Sequence, residues 1–289
     1  MVKEVIDFIK PNRKGTIIDF TVGVGGHAEA ILKSSSLPIL IGFDKDAESL
    51  KVARERLKSF KERVQLYNMD FKDSLELDID FSEVIGVLFD FGLSSFQLNN
   101  AERGFSFNME GPLDMRMDKR QNLTAYQVVN RYPEKELIRI FREYGEIKRA
   151  GKLAKEIIRY RGKKYIETTG ELRKIIEKVI PWKPRRGKTH PAAKVFQAIR
   201  IEVNKELESL SLFLEKLINR LSPGARIVAI SFHSLEDRIV KRVFQKLSRN
   251  SEKIPILKVL TKKPVIPTKE EIEQNFRARS ARLRASERI

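Results

Sequence analysis

The feature that most constrains this chain is a turn of three glycines between two short apolar runs. Ile17-Ile18-Asp19 leads into Phe20-Thr21-Val22-Gly23-Val24-Gly25-Gly26-His27-Ala28, a helical stretch follows, and Ile39-Leu40-Ile41-Gly42-Phe43 closes on Asp44. Strand, glycine turn, helix, strand and acid is the layout of a nucleotide-binding βαβ unit. Glycines let the backbone turn sharply and approach a ligand, and the helix that follows offers free N–H groups. Asp44 lies about 20 residues beyond Gly23, where an acid accepts hydrogen bonds from both ribose hydroxyls. An adenosine-containing cofactor is therefore expected. Gly23-x-Gly25-x-x-Ala28 satisfies the dinucleotide fingerprint, but S-adenosylmethionine sites use a similar turn and the same acid, so the turn alone does not choose between them.

Alternating elements continue beyond Asp44. Residues Ala47 to Phe60 read as a charged amphipathic helix, Val64 to Met69 as a strand, Val84 to Phe91 as a strand buried on both faces, and Arg226 to Phe232 as the next strand of that kind. About 130 residues separate the last two, whereas a whole βαβ unit takes about 30. Something folded is inserted there. Its periodicity is helical, over Pro133 to Tyr144, Ala150 to Arg161 and Thr169 to Val179. The expected architecture is an open α/β sheet with an inserted, mainly helical domain: 1–104 and 208–289 for the sheet, 105–207 for the insertion.

Ligands of such sheets lie beyond the carboxyl ends of the strands. Asp19, Asp44, Asp70, Asp90 and His233 all fall at or just after expected strand ends. Together they mark a binding crevice, although Asp70 or Asp19 alone would serve equally well as a helix cap.

Composition sets the partners. Lysine and arginine number 57 against 39 acids, a formal charge of +18, which fits a protein that docks on polyphosphate, so nucleic acid is the expected partner. There is no cysteine, and His27, His190 and His233 are too scattered to point to a metal site. No apolar run approaches the roughly 18 residues of a membrane span, so the expectation is a soluble cytoplasmic protein. Trp182-Lys183-Pro184-Arg185-Arg186-Gly187-Lys188 joins a stacking ring to four cations, and Arg277, Arg279, Arg282, Arg284 and Arg288 crowd the C-terminus. On the 190–207 helix, Phe196, Ile199, Val203 and Leu207 form a core stripe, with Gln197, Arg200 and Asn204 beside it and expected to face the crevice.

Longer blocks carry a family resemblance. Asp90-Phe91-Gly92-Leu93-Ser94-Ser95-Phe96-Gln97-Leu98, Glu102-Arg103-Gly104-Phe105-Ser106-Phe107, Gly111-Pro112-Leu113-Asp114-Met115-Arg116-Met117-Asp118, His190-Pro191-Ala192, Phe196 to Leu207 and Ile230 to Lys241 occur in one order. Together they resemble the bacterial 16S ribosomal RNA cytosine-N4 methyltransferases, from Met1 to Ile289. The resemblance implies a Rossmann-like class I methyltransferase sheet interrupted by a substrate-recognition domain. It also implies methyl transfer from S-adenosylmethionine to the exocyclic N4 of a cytidine at the decoding centre of the small ribosomal subunit. By the family pattern Gly25, Gly26 and His27 line the methionine side of the cofactor, Asp44 holds the ribose, Phe71 flanks the adenine, and Asp90 and Gln97 complete the pocket.

Three departures stand out. The family's His-x-Pro-Val segment is missing before the first helix, so either that contact is absent or the true N-terminus lies upstream of Met1. Ser-Ser-Pro-Gln reads Ser94-Ser95-Phe96-Gln97, and Asn-Pro-Arg-Ala-Arg reads Asn275-Phe276-Arg277-Ala278-Arg279. Losing a proline relaxes a loop without removing a chemical group. The chemistry needs an acceptor for the amine N–H, because the N4 lone pair is delocalised into the ring. Asp90 or the carbonyls after it come first, with Ser94, Asp114 and His233 behind. The rival readings are a catalytically silent RNA-binding assembly factor and a nicotinamide-dependent oxidoreductase. Oligomeric state is left open.

Overall fold

The structure, a computed structural model, describes residues 1–183, 190–249 and 254–289. Two compact units emerge, one from Met1–Gly92 with Ser209–Ile289 and the other from Leu93–Glu208. The division falls at Gly92/Leu93 and not at 104/105.

The first unit opens with α1 (Val2–Ile9), β1 (Gly15–Asp19), α2 (Gly26–Ser34), β2 (Pro38–Phe43), α3 (Ala47–Arg56), β3 (Val64–Tyr67) and β4 (Val84–Asp90). The helix expected to reach Phe60 stops at Arg56, and a 3-10 turn over Lys58–Arg63 brings the chain to β3. The second unit contributes α4 (Ser95–Asn99), α5 (Ala125–Arg131), α6 (Glu134–Glu143), α7 (Ala150–Arg161), α8 (Thr169–Val179) and α9 (Pro191–Asn204). The chain then returns to the first unit with α10 (Leu210–Arg220), β5 (Arg226–Ser231), α11 (Ser234–Ser248), β6 (Leu257–Val259), α12 (Lys269–Gln274) and β7 (Arg282–Arg288).

The seven strands form one sheet in the order β3-β2-β1-β4-β5-β7-β6. β1 to β5 run parallel, and β7 lies antiparallel between β5 and β6. A parallel sheet is covered on both faces, so its strands are apolar throughout. Ile17, Leu88 and Val228 join one core with Ile9, Ile31 and Leu50, whereas their neighbours Ile18, Phe89 and Ala229 join the other with Phe213, Leu217 and Val243. That alternation is the period-two rule of a strand. It also explains β7, where Leu283 and Ala285 enter the first core and Arg284 and Ser286 point the other way. The C-terminal arginines are thus partly a sheet strand and not a free basic tail, which corrects the sequence reading.

The second unit is helical among its described residues. Thr124 with Gln127 and Thr168 with Glu171 form reciprocal caps at the starts of α5 and α8, and Pro191 opens α9 behind the His190 cap. Its core joins Val128, Leu137, Phe141, Leu153, Ile157, Leu172, Phe196 and Ile199. Among the described residues no helix is long and apolar enough to cross a membrane.

Candidate active site

β1 and β4 are hydrogen-bonded neighbours although α2, β2, α3 and β3 lie between them in the chain, which makes their carboxyl ends the switch point where such sheets bind ligands. The glycine turn sits there. Gly23 and Gly25 take φ of 54° and 83°, left-handed values that glycine adopts freely. A Cβ on Gly25 would lie 3.4 Å from Cα of Ala53 on α3, so the backbones also approach closely. Gly25 caps α2, whose first residues are Gly26 and His27.

Asp44 pins this turn. Its Oδ2 accepts the Gly23 N–H at 2.7 Å and its Oδ1 accepts the Asp46 N–H at 2.8 Å. Each oxygen keeps a lone pair, enough to receive two hydroxyls. Desolvation pushes this carboxyl up to about 6, against the pull of the two backbone bonds, although its edge stays open to solvent.

A second acid group surrounds His27. Asp19 ends β1 at 1% exposure, and burial raises it to about 7 although the His27 charge and the Thr21 N–H, donated at 3.0 Å, pull it down. Asp90 ends β4, with Oδ2 at 3.3 Å from His27 Nε2 and Oδ1 accepting the Gly92 N–H at 3.3 Å. Burial works against a charged His27, but its hydrogen bond to Asp90, then the charges of Asp90 and Asp19, leave the imidazole above its usual range. The other ring nitrogen, Nδ1, is buried and has no hydrogen-bond partner among the described residues. An orphaned polar atom beside the Asp19 and Asp90 carboxylates fits a polar ligand group better than an apolar one.

Asp70 caps the turn after β3 through the Lys72 N–H at 3.1 Å and meets Lys45 Nζ at 3.5 Å. Phe71 is half-buried, edge-on to Phe20 and Phe213 at 6.2 and 5.0 Å, in an aromatic cluster that also stacks Phe20 on Phe89. His233 caps α11, with Nδ1 accepting the Glu236 N–H at 3.4 Å while the Glu236 carboxylate accepts the Phe232 N–H at 2.8 Å. His233 thus serves as a cap at this strand end, with its Nε2 3.0 Å from Glu236 Oε1.

The remaining expected residues belong to the helical unit. Ser94 and Gln97 form a reciprocal cap on α4: Ser94 Oγ accepts the Gln97 N–H at 3.1 Å and Gln97 Oε1 accepts the Ser94 N–H at 3.0 Å. Asp114 accepts two bonds from the Arg116 guanidinium, each at 2.9 Å, and burial's upward push is outweighed so that it stays below its ordinary range. Lys183 is exposed beyond the end of α8, whereas Arg185, Arg186 and Lys188 lie outside the described residues. Trp182 packs on His190, ring centres 4.5 Å apart, where a stacking ring open to RNA was expected.

The α9 trio needs correction. Gln197 donates to the Tyr144 carbonyl at 3.0 Å, and Arg200 forks onto Glu206 at 2.9 and 2.8 Å. Asn204, 3% exposed, accepts the Met117 N–H and donates to the Met115 carbonyl, both at 2.7 Å. All three polar ends are engaged inside the helical unit, because a buried amide or guanidinium without partners is costly. Sequence reasoning also missed Thr21, whose hydroxyl accepts the Asp90 N–H and ties the glycine turn to β4. Its place two residues after the β1 acid was the only signal.

Against known proteins, the MraW methylase family matches residues 1–289. A protein named ribosomal RNA small subunit methyltransferase H from Sulfurihydrogenibium sp. strain YO3AOP1 is 51% identical, over 99% of this chain and 97% of its own length. Proteins of the same name from Persephonella marina and from Clostridium botulinum strain Loch Maree are 49% and 45% identical, covering 99% and 100% of this chain and 97% of each relative.

Proposed function

This chain belongs to the MraW methylase family, and on that premise we propose that it methylates the exocyclic N4 of a cytidine in the 16S RNA of the small ribosomal subunit, at the decoding centre. It is a methyltransferase whose donor is S-adenosylmethionine. The observation that carries the finer reading is the His27–Asp90 pair at the β1/β4 switch point, 3.3 Å between Nε2 and Oδ2. An amine nucleophile needs a proton acceptor near the incoming methyl, and this pair supplies one. Methylation at a ring carbon by covalent addition needs a nucleophile such as a thiolate, and the chain has no cysteine.

S-adenosylmethionine supplies, when bound, an electrophilic methyl on a positively charged sulfur. Asp44 and Asp90, with Asp19 once it ionises, concentrate negative charge at the carboxyl ends of neighbouring strands in a chain of net charge +18 and so favour a cationic ligand there. Asp44 takes the ribose hydroxyls on its free lone pairs. Gly25, Gly26 and His27 line the methionine end, Phe71 flanks the adenine, and Gln97 is proposed with them on the family pattern alone. Asp90 accepts an N–H of the cytosine amine, which favours pyramidal nitrogen. As the N–C bond forms at the expense of the donor's sulfur–methyl bond, whose electron pair stays on a now neutral sulfur, the amine would lose its proton to Asp90 Oδ2, with His27, bonded to the same oxygen, sharing the charge. Alignment alone contributes about 7–11 kcal/mol in well-oriented reactions. Ser94, Asp114 and His233 keep their structural bonds in this account. Lys183, with Arg185, Arg186 and Lys188, is proposed to contact RNA phosphates.

The test is to incubate the protein with labelled S-adenosylmethionine and unmodified small subunits, then locate the methyl by mass spectrometry. The expected product is one N4-methylated cytidine. A methyl on ribose or ring carbon refutes the position, and subunit binding without transfer favours a silent assembly factor. Asp44→Ala is expected to weaken donor binding at least about tenfold, given about 1.5–3 kcal/mol per charge-assisted bond. Tighter binding of NAD than of the donor would favour the oxidoreductase.

A further inference from the structure

At the sheet edge away from the cofactor crevice, α11, β6 and β7 line a cavity of about 390 Å³. Five cations line it: Arg284 of β7, held by Asp237 at 2.7 Å, and four others, Lys241 and Arg249 from α11 and its end and Lys258 and Lys262 from β6 and the segment after it. These four are exposed, and none is ion-paired with a described acid. By contrast Lys246, on the same helix, is paired with Glu215 at 2.7 Å. No Asp or Glu is among the described lining residues, while Leu257 and Val259 give the cavity an apolar floor.

Unpaired like charges around one concavity repel one another, and a polyanion relieves that repulsion while releasing its own counterions. We propose that this cleft is a docking site for a single-stranded segment of the ribosomal RNA, separate from the crevice that takes the target cytidine. The proposal rests on the RNA-methyltransferase reading and extends it to a second contact. An RNA strand fits better than an acidic protein for three reasons. Three of the four cations without an acid partner are lysines, a residue depleted from protein–protein interfaces. β6 has only three residues, a short edge for pairing with another strand. The floor is small, since Leu257 is 2% exposed, so there is little apolar surface to form an interface core. A cavity of this size is comparable to a small-ligand pocket, which suits a flexible strand that bends into it better than a rigid duplex.

The test compares the full-length protein with the triple variant Lys241→Gln/Lys258→Gln/Lys262→Gln and with Gln245→Lys, which adds a cation to the same rim. Binding to a 12-nucleotide oligouridylate and to unmodified small subunits is measured across a salt series, with donor affinity followed by calorimetry. The triple variant is expected to bind oligouridylate at least tenfold more weakly at low salt. Its log-log salt slope should be shallower by about 2, from about 0.7 per phosphate contact on a single strand, while donor affinity is unchanged. Gln245→Lys should steepen the slope by about 0.7. Unchanged slopes in both variants overturn the proposal, as does loss of polyglutamate binding with RNA binding intact, which would make the cleft a protein-docking surface. A wild-type protein that binds the donor and methylates no RNA would refute the enzymatic reading instead, and the oligouridylate slopes would still decide the cleft.

Discussion

His27 Nε2 sits 3.3 Å from Asp90 Oδ2, so the first turn of α2 and the last residue of β4 meet through one imidazole–carboxylate contact. The helix start and the strand end come from segments of the chain separated by β2, α3 and β3. Their meeting places an imidazole–carboxylate pair beside the glycine turn.

If Asp90 takes the amine proton, Asp90→Asn keeps the size and one acceptor oxygen but loses the base. Turnover on small subunits should fall by about 10²–10⁴, the usual worth of a general base. Donor affinity by calorimetry should change only severalfold, whereas an equal loss in both quantities would make Asp90 a binding residue.

Asp19 holds its proton more tightly in the folded chain, to about 7 against an ordinary 3.8. Stability from this group is therefore greatest below the ordinary carboxyl range and declines as pH rises to about 7. Asp19→Asn should remove that decline and stabilise the protein at pH 8 by roughly 1–4 kcal/mol, read from urea unfolding at pH 5 and pH 8. The same ionisation should make S-adenosylmethionine bind more tightly at pH 8 than at pH 6. The neutral demethylated product should show a smaller change, and equal pH profiles for the two would exclude a charge role for Asp19.

Arg284 forks onto Asp237 at 2.7 and 3.1 Å with both side chains about nine-tenths buried. Removing one partner of such a pair leaves a buried charge, so Arg284→Ala should cost about 3–5 kcal/mol of unfolding free energy. A variant of wild-type stability that has lost RNA affinity would return Arg284 to the basic surface first expected of it.

Asn204→Ala orphans the Met117 N–H and the Met115 carbonyl in the helical unit. A loss of roughly 2–4 kcal/mol is expected, at about 1–3 kcal/mol per unsatisfied group. The folded fraction should retain turnover, measured below the unfolding transition. A stable variant with depressed turnover would instead support a direct contact with the nucleotide.

Much of the crevice was legible locally. The glycine turn, Asp44 at its offset, and Asp19, Asp70 and Asp90 at strand ends all follow from apolar runs and turn chemistry encoded within a few residues. α7 and α8 begin and end where their periodicity placed them, at Ala150–Arg161 and Thr169–Val179. The gap between β4 and β5 announced an insertion because a direct crossover is far shorter.

Partner choice across long sequence separations was not legible. Arg282–Arg288 looks like a basic tail, and it became β7 because β5 offered an unpaired edge and Leu283 and Ala285 matched its apolar face. Gln197, Arg200 and Asn204 were placed correctly beside the apolar stripe of α9, but helical spacing says nothing about which carbonyl or carboxylate awaits each polar end. Residues 4 apart on a helix share a face by geometry alone, whereas Asn204 reaches Met115, 89 residues earlier, only after the helices have packed. The sequence by itself determined which segments become strands and helices and which acids end the strands, since those follow from local periodicity. Only the tertiary structure decided which polar side chains face a ligand and which satisfy the interior, because every buried donor and acceptor must find its partner in three dimensions.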